Sequence, residues 1–193
     1  AALNTTDICY VELATVYQKQ AKPEQQAELI KQMQAAHARG TVTAQRVDSV
    51  ARVLGDATLG KTDEKTAQTL LESIAPGNPA SWVSLAQLLY DFPELGDVDT
   101  MMKYLDNGRA ADQPRAELLL GKLYYEGKMV PADAKLAEEH FKKAVDREVA
   151  ADYYLGQIYR RGYLGKVDSQ KALDHLLKAA RNGQNSADFA IAQ

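Results

Sequence analysis

The sequence predicts an all-α fold, a right-handed α-solenoid of antiparallel helix pairs. Three observations lead to this prediction: a segment recurs without gaps, apolar residues follow helical spacing inside each copy, and no period-two alternation is long enough for a strand. The clearest copies place Gly121 over Gly156 and Tyr124 over Tyr159, 35 residues later. A fixed period of this size is typical of stacked helix pairs, because each pair buries its apolar face against the next one.

Five helix pairs and the start of a sixth are expected along the 193 residues. They cover residues 5–40, 44–77, 80–112, 115–148, 150–184 and 186–193. Pro76, Pro79 and Pro114 fall between pairs, where a proline can end or open a helix without removing a needed N–H group. We expect one continuous repeat domain. Since half a helix pair has no partner for its apolar face, the incomplete sixth copy indicates that this domain is part of a longer protein.

The individual pairs are predicted from their apolar positions. The second helix of the first pair is expected to bury Ala27, Ile30, Met33 and Ala36–His37. The second pair aligns without gaps with the fourth pair when it is shifted by two periods, and this alignment places Ala51 at the position of Gly121. In the third pair Ala86 takes that place, and the second helix slips by one residue after the turn around Pro93.

A small residue recurs where the two helices of a pair are expected to face each other. This position is held by Ala51, Ala86, Gly121 and Gly156. We expect it to let the two helix axes approach closely, with Tyr124 or Tyr159 filling the space one turn later. Aspartates precede three of the second helices and are predicted N-caps, which accept hydrogen bonds from the first free N–H groups. They are Asp63, Asp133 and Asp168.

The composition excludes several classes of function. A formal charge of −3 gives no general attraction to nucleic acid or anionic membranes. No apolar run reaches the ~18 residues of a membrane-spanning helix, so no direct membrane insertion is expected. Cys9 is the single cysteine, which excludes an internal disulfide and a cysteine-based zinc site. The charge is uneven, because residues 1–114 carry 10 basic and 15 acidic side chains whereas residues 115–193 carry 13 and 11.

No arrangement of residues in the sequence predicts catalysis, and we expect neither enzymatic activity nor a cofactor or metal. His140 and His175 are one period apart, so a shared metal site is an alternative. They lie beside the predicted core positions Phe141 and Leu176, and the pattern places no third ligand, which favours structural histidines. The segment Gly162–Gly165 follows a helix rather than a strand, and we interpret it as a turn, not a phosphate-binding loop.

First-helix residues are predicted to line a concave groove beside the inward-facing Leu85, Leu120 and Leu155. The candidate partner-binding residues are Gln87, Tyr90, Lys122, Tyr125, Glu126, Tyr153, Gln157, Arg160, Arg161 and, in the following turn, Lys166. Tyrosine and arginine on such a surface are frequent anchors of protein interfaces. The basic residues from Arg160 to Lys166 form a local patch that could meet an anionic polysaccharide, a carboxylate-rich protein or only solvent.

The repeated segment resembles a known repeat family. The pattern Ala-x-x-x-Leu-Gly-x-x-Tyr-x-x-Gly occupies residues 116–127 and 151–162, and Lys-Ala-Ala-x-x-Gly follows at Lys178–Gly183. This combination resembles the Sel1-like branch of the tetratricopeptide repeats, closely over Arg115–Gly183 and loosely over the first three pairs. The resemblance implies a fold of stacked helix pairs, whereas the functions of that branch are broad.

Longer strings are similar to the AlgK-like family of alginate secretion lipoproteins, which are periplasmic repeat scaffolds. They are Cys9–Tyr17, Arg46–Ala51, Pro79–Ala86, Gln113–Gly121 and Asp152–Gly162. The resemblance implies a periplasmic location and attachment to the outer membrane through an N-terminal lipid that this chain does not contain. Cys9 lies within a helical repeat and is not expected to be that anchor.

The same resemblance implies protein partners and no catalysis. The implied partners are the alginate export porin and the periplasmic proteins that modify alginate, by acetylation, and polymerise it. Binding of alginate itself by Arg160, Arg161 and the groove tyrosines is the alternative function. A signalling adaptor of the Sel1-like branch in another compartment is a further alternative.

Overall fold

A computed structural model describes residues 9–191, and every regular element in that range is a helix. The predicted all-α fold of antiparallel helix pairs is confirmed. The chain divides into two compact units, one ending at Tyr104 and the other beginning at Leu105. The predicted first and sixth pairs also include residues 5–8 and 192–193, which lie outside the described residues. The single continuous domain stays a prediction.

The helices follow the predicted pairs closely. The first unit contains α1 (Tyr10–Lys19), α2 (Pro23–Ala38), α3 (Ala44–Leu54), α4 (Glu64–Ile74) and α5 (Ala80–Asp91), with 3₁₀ turns at Ala57–Leu59 and Pro93–Leu95. Helix α6 (Val98–Ala110) contains the boundary between the units. The second unit continues with α7 (Pro114–Glu126), α8 (Ala134–Ala144), α9 (Val149–Arg161), α10 (Ser169–Arg181) and α11 (Asn185–Ile191). Consecutive helices pack as pairs: α1 on α2, α3 on α4, α7 on α8, and α9 on α10.

The core of the first unit lies where the repeat predicts it. Val50, Ala51 and Leu54 of α3 are fully buried. They belong to one cluster with Ala67 and Leu71 of α4. The register inferred from a pair two periods away is therefore confirmed.

In the first pair, the predicted register of α2 is wrong at one position. Ala27 is exposed, and the preceding Gln26 is buried instead. The Gln26 amide donates a hydrogen bond to the Gln18 side-chain oxygen at 3.3 Å, and the Gln18 amide donates to the Asp56 carbonyl at 3.0 Å. Buried amides are tolerated when they are paired in this way, and a pattern of apolar residues alone does not reveal such a pair.

In the second unit, two glycines bring paired helices into close contact, as predicted. A Cβ atom added to Gly121 would lie 2.5 Å from the Phe141 ring, and one added to Gly156 would lie 2.6 Å from Cγ of Leu176. Phe141 and Leu176 are themselves one period apart. The same contact between first and second helix therefore occurs in α7–α8 and again in α9–α10. In α7–α8, this contact determines where the Phe141 ring lies.

Caps and turns fix where the second helices begin. Asp63, Asp133 and Asp168 accept backbone N–H groups of the first turns of α4, α8 and α10, which confirms the three predicted N-caps. Gly127 and Gly162 end α7 and α9 in the left-handed conformation, with φ of 67° and 65°. Such angles favour glycine, since a Cβ would be strained there. The segment after Gly162 is the predicted turn between α9 and α10.

Over residues 9–191, no helix is both long and apolar enough to cross a membrane. The longest helix, α2, has 16 residues and includes the exposed polar side chains Gln25 and Glu28. Its apolar residues instead join the buried cluster that α2 shares with α1 and α3.

Candidate interaction surface

Aromatic side chains from α7, α9 and the loop after α9 meet in the second unit. The Tyr125 ring centroid lies 5.4 Å from that of Tyr154 and 5.8 Å from that of Tyr163. The Tyr153 centroid lies 5.5 Å from that of Tyr154. Arg161 donates a hydrogen bond from Nη1 to the Tyr163 hydroxyl oxygen at 2.9 Å, and its guanidinium carbon lies 5.8 Å from the centroid of that ring. We name these five residues the tyrosine–arginine cluster.

The cluster is anchored in the core by Phe141 of α8. The Phe141 ring is fully buried and stacks on Tyr154 with a centroid distance of 4.9 Å and an interplanar angle of 5°. Tyr125 meets the same ring edge-on, at 6.3 Å and 65°. Both arrangements are favourable for aromatic rings, so the inner tyrosines are held in place by the core of the repeat.

The hydroxyl groups of Tyr125 and Tyr154 stay protonated at neutral pH, and the guanidinium of Arg161 stays charged. Burial raises the pKa of Tyr154 to about 12, and burial also raises the pKa of Tyr125. The hydrogen bond to Tyr163 raises the pKa of Arg161 above its ordinary value. The cluster therefore presents neutral hydroxyl groups beside a permanent positive charge.

The repeat itself does not require these residues. One period earlier, the fourth pair has different side chains at the positions of Tyr153, Tyr154, Arg161 and Tyr163. They are Leu118, Leu119, Glu126 and Lys128. Both pairs nevertheless share the leucine, glycine and tyrosine framework at 120, 121 and 124 and at 155, 156 and 159. Stacking therefore does not account for the tyrosine–arginine cluster.

Two of the ten predicted partner-binding residues are buried, so their predicted place in an open groove is wrong. Tyr90 is 5% exposed and Gln157 is 3% exposed. Helix α5 buries residues around most of its circumference, including Leu88 and Leu89 next to Tyr90. The Gln157 side-chain oxygen accepts a hydrogen bond from Nη2 of Arg160 at 3.1 Å, so this amide is paired within α9.

The other eight predicted residues reach the surface. Glu126, Arg161 and Lys166 are exposed, and Gln87, Lys122, Tyr125, Tyr153 and Arg160 are partly buried. Gln87 lies in the first unit and donates a hydrogen bond to Asp91 at 3.0 Å. Tyr125, Tyr153 and Arg161 are brought together in the tyrosine–arginine cluster. Their role in binding a partner stays a prediction.

Sequence reasoning missed two members of the cluster, Tyr154 and Tyr163. Tyr163 is 47% exposed, and Tyr154 joins the tyrosines of α7 and α9 to the core. The signal that could have identified them is the difference between two otherwise matching copies, since Leu119 and Lys128 occupy these positions one period earlier.

His140 of α8 and His175 of α10 each bind a carboxylate of the same helix pair. Nδ1 of His140 lies 2.7 Å from Oε2 of Glu117. Nδ1 of His175 lies 2.7 Å from Oδ1 of Asp152, which is 4% exposed. Glu117 and Asp152 are themselves one period apart, so this contact repeats with the chain. Sequence reasoning identified the histidine pair but not these two acids.

Tyr124 and Tyr159 pack against these histidines, in agreement with their predicted role in filling space between helices. Tyr124 stacks on His140 at a centroid distance of 5.7 Å, and Tyr159 stacks on His175 at 5.6 Å. The Tyr159 hydroxyl also donates a hydrogen bond to Glu138 of α8 at 2.5 Å, which ties α9 to the preceding pair. Within residues 9–191, no group of three histidine, cysteine or acidic side chains is placed to hold a metal ion.

Glu117 is expected to contribute stability that is lost in acid. Burial raises its pKa, but hydrogen bonds from His140 and Arg109 outweigh burial and hold the pKa below 4.5. A carboxyl with a lowered folded pKa stabilises the protein above its unfolded pKa, and this contribution disappears as the pH falls through the folded value. We expect Glu117→Gln to cost about 1 kcal/mol near neutral pH and almost nothing well below pH ~4.

Urea unfolding of the wild type and Glu117→Gln across this pH range measures that difference. Glu139→Gln on α8 is the control, since its ion pair with Lys143 at 2.7 Å is exposed and contributes little. An unchanged gap between wild type and Glu117→Gln in acid would contradict the expectation.

Family models match both ends of the described chain. Residues 1–75 match the AlgK tetratricopeptide repeat domain. Residues 114–148 and 149–184 each match the Sel1 repeat. The two Sel1 matches coincide with the predicted fourth and fifth pairs, which form α7–α8 and α9–α10.

Curated relatives match nearly the whole chain. The alginate biosynthesis protein AlgK of Pseudomonas syringae pv. tomato is 74% identical over 192 residues, covering 100% of this chain and 41% of that protein. AlgK of Pseudomonas aeruginosa is 59% identical over 191 residues, covering 99% of this chain and 40% of that protein. AlgK of Azotobacter vinelandii is 54% identical over 193 residues, covering 96% and 41%. The chain therefore spans about two fifths of the length of the curated relatives it matches.

Solved structures share the fold. A Sel1 repeat protein from Oxalobacter formigenes has a TM-score of 0.62 and 20% identity, covering 92% of this chain and 71% of that chain. A putative Sel1 repeat protein from Klebsiella pneumoniae has a TM-score of 0.56 and 23% identity, covering 94% and 89%. At such identities the likeness describes the arrangement of helices and does not extend to function.

Proposed function

Because the chain belongs to the AlgK family of tetratricopeptide and Sel1 repeat proteins, we propose that it is a non-enzymatic protein-interaction scaffold in alginate biosynthesis and export. In this role it helps to assemble the secretion complex in the periplasm. Its partners are the alginate export porin and the periplasmic proteins that acetylate and polymerise alginate. The full-length protein is held at the outer membrane by an N-terminal lipid.

The tyrosine–arginine cluster is the observation that supports this function most directly. Tyrosine and arginine are enriched among the residues that carry the binding energy of protein interfaces. Here Tyr125 and Tyr154 sit on helices and pack on Phe141, so these two side chains lose little conformational freedom on binding. The fourth pair keeps the same framework with other side chains at four of these five positions, which supports a role in binding for the cluster.

The surface residues around the cluster complete the proposed contact site. On the second unit they are Lys122, Tyr125, Glu126, Tyr153, Arg160, Arg161 and Lys166. On the first unit, Gln87 is proposed as a separate contact. Because the interior is occupied by contacts between stacked helices, partners bind along the outside of the pairs, each to its own surface.

Direct binding measurements test the proposal. The whole chain is immobilised, and the purified periplasmic alginate proteins and the detergent-solubilised porin are applied in turn. We expect at least one of them to bind, and Arg161→Glu to weaken that binding at least ~10-fold, because a buried interface charge of the wrong sign costs more than ~1.4 kcal/mol. Lys178→Glu is the matched control, since it makes the same charge change on an exposed position of α10.

The two failures of this experiment have different meanings. If none of the proteins binds the wild type, the scaffold function is wrong for this part of the molecule. If binding occurs but Arg161→Glu and Lys178→Glu behave alike, the scaffold function stands and the contact site lies elsewhere.

The alternative function is a polysaccharide-binding module that guides the anionic polymer. The observation in its favour is the hydrogen bond of Arg161 to the Tyr163 hydroxyl oxygen at 2.9 Å, since a guanidinium beside a hydroxyl group also suits uronate groups. Titration with alginate oligomers at low and at high salt distinguishes the two. Saturable binding that weakens with salt would support the polymer guide, and its absence would remove that function.

A further inference from the structure

Arg161 is the charged centre of the tyrosine–arginine cluster, and it has no carboxylate partner among the described residues. Its only hydrogen bond in that range goes to the Tyr163 hydroxyl oxygen, and the side chains of Tyr125 and Tyr153 also lie near it. Two other exposed arginines of the second unit are paired: Arg109 with Glu117 and Asp106, and Arg147 with Asp112. Arg161 thus differs from them.

We infer that Arg161 and the hydroxyls of Tyr153 and Tyr163 form a subsite for a carboxylate, namely an aspartate or glutamate side chain on the surface of a partner protein. This inference deepens the proposed scaffold function and rests on it. The Tyr163 oxygen accepts the hydrogen bond from Arg161, so its own O–H group is available to donate. A planar guanidinium with neighbouring O–H donors matches the oxygens of a carboxylate.

The neighbouring surface favours an acidic residue flanked by aliphatic ones. Val167, in the same loop as Tyr163, is 60% exposed, and Tyr163 is 47% exposed. Exposed apolar surface beside tyrosine and arginine provides the mixed contacts that are enriched at the anchors of protein interfaces. Glu126 lies in the same region: burial and, after it, the charge of Glu126 raise the pKa of Tyr154.

A polysaccharide fits this surface less well than a protein. Sugar rings bind the flat faces of exposed aromatic side chains, whereas the face of Tyr154 is stacked on Phe141. Tyr125 is packed between Phe141, Tyr154 and Tyr163. Because the rings of Tyr125 and Tyr154 are covered by other rings, the accessible part of the cluster consists of Arg161, Tyr153 and the exposed Tyr163. The subsite thus recognises one charged group and not an extended chain.

A titration with defined probes tests the subsite on the whole chain. One probe is a capped five-residue peptide in which two acidic residues alternate with valine and leucine, and the other is its glutamine and asparagine counterpart. NMR signals of the arginine Nε–H groups and of the tyrosine rings report binding. We expect the acidic peptide to shift the signals of Arg161, Tyr153 and Tyr163, and to bind about tenfold more tightly than the amide peptide.

Variants of Arg161 test whether its guanidinium group distinguishes the acidic peptide from the amide peptide. Arg161→Gln is expected to remove the difference between the two peptides, and Arg161→Lys to restore only part of it, because an ammonium lacks the planar fork. Lys178→Gln on α10 removes an equal charge and is expected to behave as the wild type. The amide spectrum of each variant confirms that the fold is intact.

A uronate tetramer is titrated in the same way as a third probe. Three outcomes would overturn the subsite: no peptide shifts these signals, both peptides shift them equally, or the uronate tetramer binds there more tightly than the acidic peptide. The last outcome would assign the surface to a polysaccharide. These results are separate from the test of the scaffold function. A periplasmic protein that binds wild type and Arg161→Gln equally would refute the subsite and leave the scaffold in place.

Discussion

Replacement of Phe141 by alanine is expected to lower the free energy of unfolding of the second unit by about 4 kcal/mol. Phe141 is fully buried, and its ring fills the space above Gly121 and lies against Tyr154. Because α7 and α9 each remain packed on α8, their backbones cannot easily move into the space that the ring leaves. The ring therefore leaves a cavity that its neighbours close only in part.

Native-state hydrogen exchange of the α7–α10 amides measures this loss where it occurs. Leu136→Ala is the control, because Leu136 lies on the same helix and is 36% exposed, so its removal is expected to cost less than about 1 kcal/mol. Phe141→Ala is also expected to weaken partner binding, since Tyr154 loses the ring on which it stacks. Equal protection in Phe141→Ala and Leu136→Ala would show that Phe141 is not the centre of this core.

The repeat framework could be predicted because its contacts recur. Gly121 and Phe141 are related to Gly156 and Leu176 by one period, and each pair makes the same close approach. The sequence therefore contains several copies of the same helix–helix contact, and each copy independently supports the predicted register. The capping role of Asp133 was predictable for another reason, since a cap depends only on residues within one turn.

Polar contacts in the interior could not be predicted in the same way. Gln26 takes a core position because its amide pairs with Gln18, a residue on another helix. Similarly, Asp48 of α3 accepts a hydrogen bond from Ser81 at 2.8 Å, and Ser81 accepts one from Asn78. Such networks depend on which helices meet, and hydrophobic periodicity contains no information about their partners.

The candidate site was predictable only in part, for a physical reason. Tyr125, Tyr153 and Arg161 follow from the helical face that the repeat leaves uncovered. Tyr154 and Tyr163 depend on how rings from α7, α8 and a seven-residue loop at 162–168 pack together. The packing of rings across three elements is a property of the tertiary structure. The burial of Tyr90 and Gln157 also depends on tertiary packing, and the sequence therefore did not predict it.

Gly121→Ala and Gly156→Ala are each expected to destabilise the second unit by about 2 kcal/mol, although alanine is normally about 1 kcal/mol better than glycine inside a helix. The added Cβ would lie 2.5 Å from ring atoms of Phe141 in the first variant. In the second it would lie 2.6 Å from Cγ of Leu176 and 3.2 Å from the carbonyl oxygen of Ala172. Since a backbone oxygen cannot rotate away, the helices must separate.

Gly77→Ala is the matched control, since its Cβ would have only the Ile74 carbonyl oxygen nearby, at 3.8 Å. Urea unfolding is expected to show a loss in Gly121→Ala and Gly156→Ala and no loss in this control. Equal stability of all three would mean that the close approach does not need glycine.

A double variant based on the residues of the second pair tests why Gly121→Ala is destabilising. The second pair has Ala51 and Leu71 at the positions that Gly121 and Phe141 occupy in the fourth. In the second pair, alanine and leucine therefore pack together at these two positions. We expect Gly121→Ala combined with Phe141→Leu to be more stable than the two single changes predict together, because the smaller side chain removes the overlap. Strict additivity would assign the cost of Gly121→Ala to something other than its contact with Phe141.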